Sequence, residues 1–381
     1  MRSPAPFAPP AESPSRSIAI ARARRAALEE HSPVPAGGIA PWVERSWQRC
    51  LGLGLEPQRP VLFDRVSHQQ TLRTQEANQR LVQTARPILE KLGRAIVNTR
   101  YFAILTNRDG VVVDTSGAID RSDPRADLIT RIGTDLSEHA VGTTAIGMAL
   151  TEQQPVWLHQ GEHFYANTAV YSCAGAPLLG PDGACVGMLD LTGIDAVERP
   201  ELKHLVTQTA TKIENALVLA QSHRLMVRLN WPGNRLGSDA DGMVCLDADG
   251  WITAANPIAR QMVPQLAARS PAQPAVHASE VFGIAFELLF DAARQRDTVL
   301  EIPLWTGLRL QALPVARDHE THSLQATPAT AGHSQRPLKD IEAELIRKAV
   351  DQARGNVAQA AQALGISRAT VYRKLGQKHG K

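Results

Sequence analysis

Gly355-Asn-Val-Ala-Gln-Ala-Ala-Gln-Ala-Leu-Gly-Ile-Ser-Arg-Ala-Thr-Val-Tyr-Arg-Lys-Leu375 holds two short helical patterns around a single turn glycine. Just upstream, Leu338, Ile341, Leu345, Ile346, Ala349 and Val350 repeat at helical spacing and form one apolar face. Gly355 stops that helix and Asn356 caps the next. The second helix, Val357 to Leu364, carries Ala360 and Ala361, small enough for close helix crossing. Gly365 permits the left-handed backbone of a tight turn. Ser367 caps a third helix running to about Gln377, which Val371 and Leu375 anchor inward. This spacing is that of a helix-turn-helix, whose second helix enters the major groove with its N-terminal residues at the base edges. Ser367, Arg368 and Thr370 then face bases, and Arg368 has the fork to bond a guanine bidentately. Tyr372, Arg373 and Lys374 sit near phosphates, and the cap Asn356 is grouped with the DNA-facing set. A structural three-helix bundle with a basic face is the competing reading.

The charge pattern agrees. From Gly365 to Lys381 there are Arg368, Arg373, Lys374, Lys378 and Lys381 and no acid. Concentrated positive charge points either to a polyanion partner at that end or to a solvated basic tail, and with the helix-turn-helix pattern the expected partner is double-stranded DNA. The whole chain, 381 residues with a formal net charge of +3, does not identify a partner by charge alone. That length allows two to four domains. Hydrophobic residues are 43% and aromatics only 4%, so the cores are aliphatic. Cys50, Cys173, Cys185 and Cys245 are widely spaced with no C-x-x-C pair, which argues against a disulfide framework or thiolate zinc site and fits a reducing compartment. No apolar run approaches the length of a membrane span, and the expected location is the cytoplasm, with no membrane partner.

Working back toward the N-terminus, residues 317–336 are polar and read as a linker to the helix-turn-helix at 337–381. Gly242-Met-Val-Cys-Leu-Asp247, a turn at Ala248-Asp-Gly250 and Trp251-Ile-Thr-Ala-Ala-Asn256 read as a strand hairpin, with Pro257 opening a helix, inside a domain spanning 233–316. Before it, about Arg199 to Leu229 reads as one long helix. Leu202, Val206, Thr209, Ile213, Ala216 and Ala220 mark either a coiled-coil seam or the inner face of a helix packed on its own domain, in a connecting segment at 199–232. Residues 100–198 read as strands and turns. Tyr101–Thr106 and Val111–Asp114 flank the turn Asn107–Gly110, and Ala176–Leu179 and Cys185–Asp190 flank Gly180–Gly183. Residues 18–99 are helical in pattern, with Leu81, Ala85, Ile88, Leu89 and Leu92 on one face. Residues 1–17, rich in Pro, Ser and Ala, read as disordered. The expected fold class is α+β and multidomain.

The 355–375 stretch resembles the Fis-type helix-turn-helix that ends many sigma-54-dependent bacterial activators. Arg45-Ser-Trp-Gln-Arg-Cys-Leu-Gly-Leu-Gly-Leu-Glu-Pro57 resembles the opening motif of acetoin-catabolism-type (AcoR-like) regulators. Gly142-Thr-Thr-Ala-Ile-Gly147, Gly161-Glu-His-Phe164 and Gly187-Met-Leu-Asp-Leu-Thr-Gly193 are similar to the GAF domain of the same family. Together these cover roughly residues 18–220, and Met243–Val263 is similar to the start of a PAS domain. The resemblance implies a GAF-like sensor with a pocket for acetoin or a related small alcohol, ketone or aldehyde. Tyr101, Trp157, His159, Phe164 and Cys173 are the candidate lining residues, with simple core packing as the alternative for each. It also implies dimerisation through the helix from Leu338 to Val350.

His159-Gln-Gly-Glu-His163 matches the H-x-x-E-H pattern of zinc hydrolases. That chemistry needs both histidines on one helical face. Pro155–His159 reads as a strand and Gly161 opposes helix, so a zinc hydrolase using His159, Glu162 and His163 is the remote alternative. The central ATPase usual in such activators needs G-x-x-x-x-G-K-[ST]. No such sequence occurs, nor does the Gly-Ala-Phe-Thr-Gly-Ala loop, and the roughly 120 residues between the GAF-like part and the helix-turn-helix are too few for it. The expectation is a non-enzymatic, homodimeric regulator without cofactor. It would bind a palindromic operator and a small effector, with RNA polymerase or a full-length sigma-54 activator as further partners. An architectural Fis-like DNA-bending protein is the alternative from another class.

Overall fold

The computed structural model describes residues 14–61, 63, 66–267, 275–295 and 298–316, together with Val350, Val357, Gln359 and Ala361. The chain divides into two units, Met1–Arg317 and Asp318–Lys381. In the second unit the four described residues are helical and Ala361 is buried. Asn356, Ser367, Arg368, Thr370, Tyr372, Arg373 and Lys374 lie outside the described residues, as does the linker at 317–336.

Four helices lead into the first sheet: Pro14–Arg24 (α1), Pro41–Gly52 (α2), His68–Ala77 (α3) and Gln79–Ala95 (α4). Residues 14–17, expected to be disordered, therefore belong to α1. Arg16 is held there by ion pairs to Glu162 and Glu198, at 3.1 Å each. Tyr101–Asn107 (β1) and Val112–Gly117 (β2) follow, then the short helices Pro124–Ile129 (α5), Glu138–Val141 (α6) and Ala145–Glu152 (α7). Val156–His159 (β3), Tyr171–Leu179 (β4) and Cys185–Ile194 (β5) complete an antiparallel sheet of order β2-β1-β5-β4-β3.

Both faces of this sheet are covered, which explains why its strands read as apolar runs rather than alternating ones. On one face, Ala103, Leu105, Ala174, Leu189 and Leu191 pack on Leu89 of α4 and on Val206 and Ile213 of Leu202–Leu219 (α8). On the other, Phe102, Ile104, Cys173 and Met188 meet Trp47 of α2, Ile129 of α5, Val141 of α6 and Ile146 of α7.

The second sheet comprises Leu225–Asn230 (β6), Gly242–Leu246 (β7), Ile252–Ala255 (β8), Leu300–Pro303 (β9) and Arg309–Ala316 (β10), in the order β8-β7-β6-β10-β9. Pro257–Met262 (α9), Ala278–Val281 (α10) and Glu287–Arg294 (α11) contribute Ala259, Ala278, Val281 and Leu289 to its core. Relative to the first sheet the strand order is circularly shifted. The central strand comes last in sequence in the first sheet (β5) and first in the second (β6).

The long helix expected over 199–229 is thus two elements. α8 ends at Leu219, and Leu225–Asn230 is the central strand of the second sheet, so that sheet begins before residue 233. Leu-Met-Val-Arg-Leu-Asn has apolar residues at spacings that suit either period, and no Gly or Pro separates it from α8. The proposed coiled-coil seam is occupied within the unit itself, since Leu202, Val206 and Ile213 pack on the first sheet. The same helix buries Val218 against Met226, Met243, Cys245 and Ala254 of the second sheet. Asn256, the N-cap of α9, completes the junction. Its Nδ2 donates to Asn215 Oδ1 of α8 at 2.8 Å, and its Oδ1 accepts from the Met243 and Ala259 amides.

Candidate functional site

The face of the first sheet under α2, α5, α6 and α7 lines a half-open cavity of about 30 Å³. Ile104 of β1, Ile129 of α5, Val141 of α6 and Ile146 of α7 give it apolar walls. Its polar floor comes from alternate residues of two neighbouring strands, Tyr171 and Cys173 on β4 and Asp190 and Thr192 on β5, with His163 from the loop between β3 and β4. Strand alternation puts these four strand residues on one face.

They form a hydrogen-bonded chain. The His163 Nδ1 donates to the Gln160 carbonyl at 2.9 Å, which leaves Nε2 as an acceptor for the Cys173 thiol at 3.7 Å. Burial pushes His163 down to about 4, so the ring is neutral. Burial, and then the charge of Asp190, holds the Cys173 thiol well above its usual range. Cys173 Sγ lies 3.5 Å from Thr192 Oγ1, and that hydroxyl donates to Asp190 Oδ2. Asp190 is wholly buried, and burial raises its carboxyl to about 7. Its Oδ1 has no hydrogen-bond partner among the described residues.

The motifs that stand out in the sequence build the frame around this cavity. Gly142 has φ +67° where a Cβ would meet Phe164 and Tyr165 at 3.0 Å, and Thr144 caps α7 through the Gly147 amide at 3.1 Å. A Cβ on Gly147 would lie 2.8 Å from Glu138. The Arg45–Cys50 motif clamps the same frame from α2. Ser46 Oγ donates to Glu138 at 2.8 Å, and the Arg49 guanidinium brackets Glu138 at 2.7 and 2.9 Å. Arg45 pairs with Glu152, and the Trp47 indole N–H donates to the Glu162 carbonyl at 2.9 Å. From α1, Arg24 donates to the carbonyls of Gly161, His163 and Phe164, and burial lowers its pKa. The loop that delivers His163 to the cavity is therefore held from both α1 and α2.

Of the five candidate lining residues, only Cys173 lines the cavity. Tyr101 and Trp157 belong to the opposite face, against α4 and α8, and the Tyr101 hydroxyl donates to the Val197 carbonyl at 2.9 Å. His159, two residues after Trp157, stacks parallel to it at 6.4 Å and bonds Ser172 Oγ through Nδ1 at 2.8 Å. Phe164 is core, packed edge-on against Tyr165 at 5.1 Å. Because both faces are buried, residue type does not reveal which face holds the cavity. Asp190 and Thr192 were missed although a signal was present: a single carboxylate within Val186-Gly-Met-Leu-Asp-Leu-Thr192, a run otherwise apolar or small.

The H-x-x-E-H segment is not a zinc-hydrolase helix. His159 ends β3, Gln160–Glu162 is one 3-10 turn, and the Glu162 carboxylate is paired with Arg16 and accepts from the His159 amide at 2.7 Å. Among the described residues no group of His, Cys, Asp or Glu could hold a metal ion, and none of their helices is long and apolar enough to cross a membrane.

Residues 337–377 match the family model described as "Bacterial regulatory protein, Fis family". Residues 18–215, over half of the chain, match the model "MimR, N-terminal domain", and the chain belongs to that family. It is 30% identical over 263 residues to the acetoin catabolism regulatory protein of Cupriavidus necator, which covers 66% of this chain and 37% of that one. It is 29% identical over 203 residues to the propane 2-monooxygenase operon transcriptional activator MimR of Mycolicibacterium goodii, covering 53% and 33%. The matches thus span about a third of the length of these curated relatives, whose names are those of regulators rather than enzymes. Among solved structures, that of the Escherichia coli DhaR(N)-DhaL complex aligns over 73% of this chain and 100% of that one, with TM-score 0.44 and 14% identity.

Proposed function

We propose that this chain is a ligand-responsive, sequence-specific DNA-binding regulator of a catabolic operon for a small alcohol, ketone or aldehyde. The observation that carries the reading is a small polar-floored cavity in the first sheet, within the MimR N-terminal match, on the same chain as a Fis-family match. The cavity suits a neutral molecule of a few non-hydrogen atoms. DNA contact is assigned to Ser367, Arg368 and Thr370 at bases and to Tyr372, Arg373 and Lys374 at phosphates, with Asn356 capping the preceding helix. The chain acts as a homodimer on a palindromic operator in the cytoplasm. Without a Walker A loop it neither hydrolyses ATP nor remodels sigma-54 polymerase. It works by occlusion, by recruiting polymerase, or by sharing sites with a full-length activator.

The test is genome-wide occupancy of the purified protein with and without a panel of C2–C4 alcohols, ketones and aldehydes. Discrete palindromic sites whose occupancy responds to one compound are expected. Diffuse binding indifferent to every compound would replace this reading with an architectural one, and ATP turnover by the purified chain would remove the ATPase-free part.

A further inference from the structure

We propose that Asp190 selects a hydroxyl-bearing ligand over its carbonyl analogue in the cavity of the first sheet. This rests on the sensor reading above and narrows it to one ligand chemistry and one determining residue.

Hydrogen bonds within the protein occupy most polar groups of the cavity wall. Every side-chain donor on it is already engaged within the protein. Thr144 donates to the Leu136 carbonyl at 3.4 Å, Thr168 to that of Tyr165 at 3.0 Å, and the Tyr171 hydroxyl to that of Arg125 at 3.2 Å. His163 donates to Gln160, Cys173 to His163, and Thr192 to Asp190. What remains is acceptor capacity, above all Asp190 Oδ1, which has no partner among the described residues. Buried polar atoms in folded proteins are almost always paired. A ligand that complements this wall brings a donor. A ketone or aldehyde brings only an acceptor. An ammonium group brings three donors to a site with one prominent acceptor between apolar walls, leaving buried N–H groups unmet. A hydroxyl brings one hydrogen, and the apolar walls take a short carbon body.

The selection depends on the ionisation of Asp190. As a carboxylate it only accepts, and it rejects a carbonyl. Once protonated it can donate, and it admits one. The other titratable groups on the wall do not change over the range that matters. His163 is neutral well above its value of about 4, and burial raises Cys173 and Tyr171. β1, α5, α6 and α7 present apolar side chains and Thr144.

Propan-2-ol and propanone are matched probes, with the same heavy atoms and a difference only in whether the oxygen carries hydrogen. Ligand-observed NMR titration of the full chain at pH 6 and pH 8.5 gives both affinities. At pH 8.5 propan-2-ol is expected to bind about tenfold more tightly, the effect of roughly one unmet charged hydrogen bond. The ratio should shrink at pH 6 and approach unity at both pH values in Asp190→Asn. Should that variant not fold, the pH dependence of the unsubstituted protein decides. Equal binding of both probes, or a ratio indifferent to pH, overturns the role of Asp190 and leaves the sensor reading standing. Absence of binding by both probes, with operator affinity unmoved by either, overturns both.

Discussion

Asp190 and Glu214 are carboxyls that the fold keeps out of water on opposite sides of the first sheet. Burial raises each to about 7, and Glu214 accepts only the Leu179 amide, at 2.9 Å. An acid whose pKa is higher in the folded than in the unfolded chain binds more protons when folded between the two values. Its contribution to stability is therefore complete below about 4 and is lost as pH rises to about 7. His163, lowered to about 4 by burial, acts in the opposite direction over much of that window, so the total curve mixes the two. The difference between variants separates them. Urea unfolding of the unsubstituted protein and of Asp190→Asn at a series of pH values should show the unsubstituted protein losing stability relative to the variant between pH 4 and 7, and no further change above. A parallel pair of curves would mean that Asp190 is solvated in the folded state. The lone acid in its apolar run is visible in the sequence, but its bond to Thr192, and through it the link to Cys173 and His163, is not. Those contacts depend on sheet register and on the loop from Gln160 to Val170.

At the scale of elements, the hairpins of the first sheet were legible because tight-turn residues punctuate apolar runs at Asn107–Gly110 and Gly180–Gly183. The Pro257 helix start was legible for the same kind of reason, and Asn256 caps it as the residue type allows. β6 was not legible, because its apolar pattern continues that of α8 and the break at Ser222-His223 carries no strong turn signal. The cavity side of the sheet was not legible either, since strands covered on both faces lose the alternation that marks inside from outside. Asn256 matters beyond its capping role, since it ties α8 to β7 and α9 through three hydrogen bonds at buried atoms. Asn256→Ala removes the cap and strands the Met243 amide, and should cost about 2–4 kcal/mol in unfolding free energy. A loss below about 0.5 kcal/mol in chemical denaturation would show that water replaces these bonds at little cost.

For the whole molecule, residues 337–377 were the most legible part, because a turn glycine and one-sided charge stand at fixed offsets in the sequence, and that stretch matches the Fis-family model. Arg368→Ala should cost about 1–3 kcal/mol in operator affinity and relax selectivity at one base position, measured by fluorescence anisotropy at fixed salt across a set of single-base operator variants. Unchanged affinity and selectivity would displace the recognition helix from this register. The circular shift of the second sheet has a consequence for synthesis. β6 leaves the ribosome before every other strand of its sheet, yet its partner β10 is Arg309–Ala316, made about 80 residues later. Until then the nascent sheet has an open edge along Leu225, Val227 and Leu229, and open edges invite pairing with other chains. A fragment beginning at residue 233 keeps the late strand and lacks the early one, and should aggregate on expression where the full chain stays dispersed. The order in which this chain is made thus asks the first-formed central strand to wait for the last.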